Sequence, residues 1–126
     1  MKLKYILVSS LLLAFVFSMA QDKGSLVFDN TVCNYGTLKY GEYAECEFNF
    51  TNNGKSDLLI NSVKSNSRSL TFKLTDSLIL KNQKGKLIVI YDTNDEGPIR
   101  KTITIFSDGE PSVYTLSLKG RVLPKP

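Results

Sequence analysis

The sequence predicts an all-β sandwich, and three observations carry that prediction. From Ser25 onward apolar and polar residues alternate with period two, the pattern of strands with one buried face. Clusters of Asn, Asp, Gly and Pro interrupt the alternation about every eight to twelve residues, the spacing of turns between short strands. No stretch carries the 3.6-residue apolar repeat of an amphipathic helix.

Residues 1–20 stand apart from this pattern. Lys2 and Lys4 precede an apolar run from Tyr5 to Phe17, and Ser18-Met19-Ala20 supplies small residues for cleavage. This is the layout of a secretory signal peptide. The mature chain is therefore expected to begin at Gln21 and to work outside the cytoplasm, secreted or periplasmic. The apolar run is shorter than the roughly 20 residues a membrane-spanning helix needs. No second such run follows, so no integral membrane segment is expected after cleavage. Residues 21–126 suit one domain, and a chain of that size buries roughly 65% of its unfolded surface.

One strand contains Cys33. The next, residues 44–51, places Ala44, Cys46, Phe48 and Phe50 on one face and Glu45, Glu47, Asn49 and Thr51 on the other, beside Tyr43. It ends at Asn52-Asn53-Gly54-Lys55, where Asn-Gly suits a tight turn, and residues 58–63 are expected to return as the following strand. Residues 70–74 form a weaker strand. Residues 87–91, Leu-Ile-Val-Ile-Tyr, are apolar on both faces and predict a central, covered strand. The segment from Lys81 to Lys86 reads as a solvated turn and residues 92–98 as a polar loop. Residues 99–107 alternate Thr with Ile, Asp108-Gly109-Glu110-Pro111 turns the chain, and residues 113–122 set Tyr114, Leu116, Leu118 and Val122 against Ser117, Lys119 and Arg121. The tail from Leu123 to Pro126 is expected to fray. The sum is an immunoglobulin-like antiparallel β-sandwich of about seven strands.

Composition excludes several functions. Without Lys2 and Lys4, fourteen basic residues face twelve acidic ones, a net charge of +2 with no basic stripe, so nucleic acid is not an expected partner. There is no His, which removes Ser-His and Cys-His nucleophile pairs. Two cysteines cannot complete a zinc site alone, and no cofactor motif is present. Glu45 and Glu47 are paired carboxylates on a strand face, without the cleft that acid–base catalysis requires. The segment from Asp92 to Gly97 resembles half a calcium loop, but Ile103 stands where the closing Glu belongs. Asn49-Phe50-Thr51 matches a glycosylation sequon that falls on a predicted strand. No metal site and no enzyme activity are expected.

Two features remain as candidates. Cys33 and Cys46 are either a disulfide, as export would favour, or two separate buried thiols. Tyr40, Glu42 and Tyr43 form the candidate binding surface, since Tyr offers large contact area with few rotors.

A family resemblance rests on short motifs in a fixed order. Phe28, Tyr35-Gly36, Gly41-Glu42, the run from Phe48 to Lys55, Leu58 and Ile60 come first. Tyr91-Asp92-Thr93, Gly97-Pro98, the run from Lys101 to Ile105 and the run from Leu118 to Val122 follow. Over about residues 26–123 the chain resembles a family of bacterial secreted domains of unknown function, marked by an Asn-x-Gly turn and usually a Cys-Gly-Cys. Those domains are similar to Hydin-type and major-sperm-protein-type immunoglobulin folds. Here Ser65-Asn66-Ser67-Arg68-Ser69 replaces the Cys-Gly-Cys, and Asn82-Gln83-Lys84-Gly85 replaces a Pro-Gly, so no thiol chemistry transfers. The resemblance implies fold and compartment. The expected function is a non-catalytic binding or structural module that contacts another envelope or secreted protein through a loop cluster or sheet edge. The alternative is a glycan-binding module using the surface tyrosines.

Overall fold

The structure, a computed structural model, describes residues 22–126, so the expected leader at residues 1–20 lies outside the described residues. Nine strands follow one another: β1 (Leu26–Phe28), β2 (Val32–Leu38), β3 (Ala44–Asn52), β4 (Leu58–Ser65), β5 (Leu70–Leu74), β6 (Leu78–Ile79), β7 (Lys84–Tyr91), β8 (Gly97–Ser107) and β9 (Val113–Val122). They form two sheets, ordered β1-β3-β7-β5 and β2-β9-β8-β4-β6. The two strands beyond the expected seven are β1 and β6, of three and two residues. Elements that short leave no period-two signal.

The alternation in sequence becomes the core. Phe48 and Phe50 on β3 and Leu87 and Val89 on β7 meet Ile99, Ile103 and Ile105 on β8 and Leu116, Leu118 and Val122 on β9. Each such side chain contributes roughly 1.5–3 kcal/mol on burial. Close approach decides one residue type within this core. Gly85 lies opposite Phe50 in the β3–β7 ladder, and a Cβ there would stand 2.7 Å from the Phe50 ring.

The expected turn from Lys81 to Lys86 is shorter than predicted, since β7 begins at Lys84 and pairs with β3; three further expectations need correction. First, Asn52-Asn53-Gly54 makes no hairpin. It carries the chain from the first sheet to the second. Asn52 is wholly buried there. Its Oδ1 accepts from Ser25 and Gly54 N–H, and its Nδ2 donates to the Ser56 and Ile79 carbonyls. Second, β7 is central, as predicted, but Ile88 and Ile90 on its outer face are only half-buried, because no third layer covers them. Third, the tail does not fray: Leu123 N–H donates to the Leu38 carbonyl at 2.9 Å and Lys125 N–H to Glu96 Oε1 at 3.1 Å.

The sandwich is antiparallel except where β2 runs parallel to β9. This pairing shifts register between Asn34 and Thr37, where Gly120 has φ +154° and a Cβ on it would stand 2.8 Å from the Gly36 carbonyl oxygen. Cys33 on β2 and Cys46 on β3 are joined as a disulfide with Cα atoms 6.5 Å apart, and the bond therefore ties the two sheets together. Beside it the Tyr35 O–H donates to the Val89 carbonyl at 3.1 Å.

Candidate functional site

The residues singled out for binding lie at one end of the sandwich, where the β2–β3, β4–β5 and β7–β8 loops meet the C-terminal tail. These connections come together because β3, β5 and β7 share a ladder at Ala44, Leu70 and Tyr91. Leu38 and Gly97 likewise share Val122 as their partner on β9.

The loops are cross-braced. Gly41 N–H donates to the Thr93 carbonyl at 3.2 Å, and the buried Thr93 hydroxyl donates to the Glu42 carbonyl. Asp92 N–H donates to the Ser69 carbonyl at 2.8 Å. Asp95 Oδ2 accepts from both the Ser69 hydroxyl and the Tyr91 O–H. The serine-rich segment is a chain of small turns, with Ser65 Oγ accepting from Ser67 N–H and Ser67 Oγ from Ser69 N–H. Loops held in this way lose little entropy on meeting a ligand.

The three predicted residues have different neighbours. Tyr40 is half-buried, with the Lys125 ammonium 5.8 Å from its ring centroid, a cation–π geometry. Glu42 is exposed and fixed through its carbonyl. Tyr43 is 71% exposed, and its O–H donates to Glu45 Oε1 at 3.2 Å, towards the outer sheet face. Sequence reasoning missed a cavity of about 320 Å³ lined by Lys39, Tyr40, Leu123, Pro124 and Pro126. Its apolar wall comes from the tail, and only Leu123-Pro124 hinted that this segment would pack.

The remaining polar residues serve the scaffold. Asp92 Oδ1 accepts from Asn94 N–H, Asp95 is engaged as above and Glu96 Oε1 accepts from Lys125 N–H, so all three carboxylates of the calcium-like segment accept hydrogen bonds from the protein itself. Among the described residues no group of three or more Cys, Asp and Glu is placed to hold a metal ion. Glu47 pairs with Lys86 at 3.6 Å on the outer face of the first sheet. Burial and the nearby Glu45 push the Tyr35 phenol up to about 12, and burial followed by Asp95 raises that of Tyr91. Among the described residues no helix is long and apolar enough to cross a membrane.

Known structures share this architecture. A Porphyromonas gingivalis protein of unknown function is 19% identical over 81% of this chain at a TM-score of 0.72, and the chain spans about half (48%) of that protein's length. PapD-like domain 7 of human CEP192 is 12% identical, with 83% of this chain and 89% of that domain covered at a TM-score of 0.70. A C. elegans MSP family member is 15% identical, with 77% and 96% covered at a TM-score of 0.54. At these identities the likeness establishes an immunoglobulin-like fold of the PapD and MSP type. No curated protein matches the sequence. The family model described as "Protein of unknown function (DUF1573)" matches residues 26–122, nearly the whole sandwich, and the chain belongs to that family.

Proposed function

We propose that this domain is a non-catalytic interaction module, working outside the cytoplasm, that binds a protein partner at its braced loop end. One observation carries the reading: four chain segments are locked together there around an exposed tyrosine and a largely apolar cavity of about 320 Å³. Tyr43 and Glu42 supply the exposed contacts, and the cavity beside Tyr40 is the place for an apolar anchor from the partner. The disulfide supports the compartment, because such bonds persist in oxidising spaces. Glycan binding is less supported, since a sugar would have to compete with Lys125 for the Tyr40 ring.

A photo-crosslinking side chain placed at Tyr43 tests this, with one placed at Lys119 on β9 as the control. The Tyr43 probe should capture one saturable protein species from envelope extract, competed by unmodified protein. Glu42→Lys should weaken the capture about 5- to 30-fold, as for a residue in the centre of an interface. Equal capture from Lys119, or none from Tyr43, would refute the loop-end site. Saturable polysaccharide binding lost in Tyr40→Ala would replace it with the glycan reading.

A further inference from the structure

The outer edge of β5 is the second surface with a defined chemistry. β5 closes one side of its sheet and, among the described residues, has β7 as its only neighbour. Ser69 C=O accepts from Asp92 N–H at 2.8 Å, and Thr75 N–H donates to the Lys86 carbonyl at 3.1 Å. Both ends of the ladder therefore have odd-numbered residues bonded to β7. Antiparallel pairing alternates, so Thr71 and Lys73 also direct their backbone groups inward. Leu70, Phe72 and Leu74 direct theirs away from the sheet, to the open edge. Their side chains face the core, whereas Thr71 and Lys73 are exposed on the outer face.

We propose that two copies of this chain pair antiparallel through β5, about a two-fold axis at Phe72, joining their four-stranded sheets into one of eight. This register follows from the sequence of the edge. Inner residues must face inner residues, so the axis must pass through a residue and not between two. Centred on Phe72, the free groups of Leu70, Phe72 and Leu74 meet those of the partner's Leu74, the partner's Phe72 and the partner's Leu70. All three are hydrogen-bonded pairs. On the outer face Thr71 stands beside the partner's Lys73, and no like charges oppose. An axis at Lys73 would place two ammonium groups together, and one at Thr71 would strand Leu74. The half-buried Phe72 rings meet across the axis and cover each other. A strand of five residues gives a small interface, so the association is weak and concentration-dependent. It uses none of Tyr40, Glu42 and Tyr43 and stands or falls independently of the loop-end site.

Sedimentation equilibrium of the purified protein over a wide concentration range tests the pairing. Wild type should dimerise reversibly. Thr71→Lys sets two like-charged pairs in opposition and should raise the dissociation constant about tenfold, and Thr71→Glu creates two opposite pairs and should lower it by a similar factor. Thr115, exposed on β9 in the other sheet, supplies the control: Thr115→Lys and Thr115→Glu should leave the constant unchanged. Thermal unfolding of each variant monitors the fold. A protein monomeric at all concentrations, Thr71 variants that move together, or Thr115 variants that match them would overturn the proposal.

Discussion

Replacing Asn52 with Ala should produce the largest loss of stability from any single polar side chain in this domain. Asn52 is 0% exposed and makes four side-chain hydrogen bonds at 3.0–3.1 Å, reaching Ser25, Gly54, Ser56 and Ile79. It thereby ties β1, the β3–β4 crossing and β6 to the end of β3. The Ser25, Gly54 and Ser56 partners are half-buried, so water can replace the lost bond at a net cost of about 1 kcal/mol each. Ile79 is fully buried, and its carbonyl would lose a partner with no water to substitute, adding about 1–3 kcal/mol. The expected total is about 4–6 kcal/mol, a large share of the roughly 5–15 kcal/mol available to such a domain. In urea, with a slope of about 1.5 kcal/mol per molar, the midpoint should fall by about 3 M. A shift of less than about 0.5 M would show that the side chain is dispensable and refute the reasoning. Asn52→Asp sharpens the test. It keeps the acceptor and turns the donor into a second acceptor facing two carbonyls, which raises the carboxyl's folded pKa above its unfolded value of about 4. Its stability should then be highest below that value and fall as pH rises.

Three other outcomes follow from the same structure. Removing the Cys33–Cys46 bond, whose partners are 13 residues apart, should cost about 3 kcal/mol in the chain-entropy model; the Cys33→Ser/Cys46→Ser double variant and reduced wild type should unfold at the same urea concentration. Gly85→Ala places a methyl against the Phe50 ring and should cost about 1–3 kcal/mol, recovered in part when Phe50→Leu is added. Tyr35, pushed up to about 12 by burial and Glu45, contributes stability that is whole below the unfolded value of about 10 and is lost as pH rises through its folded value. Ultraviolet titration should find a late-ionising tyrosine phase, and Tyr35→Phe should shrink that phase and remove the matching part of the alkaline stability loss.

The fold was legible where burial imposes a period. Residues 70–74 and 113–122 were bounded correctly because each alternates without interruption between turn residues. The β3–β4 connection was misread for a physical reason. Asn-Gly is the usual hairpin chemistry, but positive φ is found at Gly36, Gly41, Gly97, Gly120 and Asn82, and not at Gly54. Asn52 is needed for its side chain, and Gly54 for the space beside Lys23 and Ser25, where a Cβ would approach backbone atoms to 2.5 Å. Both demands are tertiary, and neighbouring residues in the sequence do not reveal them. The disulfide remained open for a similar reason: β2 and β3 lie in opposite sheets, and their cysteines meet only once the two sheets pack together.

The loop end illustrates a harder limit. Tyr40, Glu42 and Tyr43 stood out because aromatic and charged residues cluster in one loop, and that much is local. What makes the cluster a site is Thr93, 51 residues from the Glu42 carbonyl that it binds, and the tail packed over Tyr40. Thr93 looks like any threonine in a polar loop. Its burial is decided by the ladder that sets Ala44 beside Tyr91, and hence by the core side chains that fix that register. Substituting Thr93 with Val should therefore loosen the 39–43 loop without disturbing the core. Backbone amide exchange should quicken at Gly41 and Glu42, whose N–H groups are bonded within this brace, while Phe48 and Val89 remain protected. Uniform protection in the variant would mean that the loop holds its shape unaided, and that the 92–96 segment is a neighbour and not a brace.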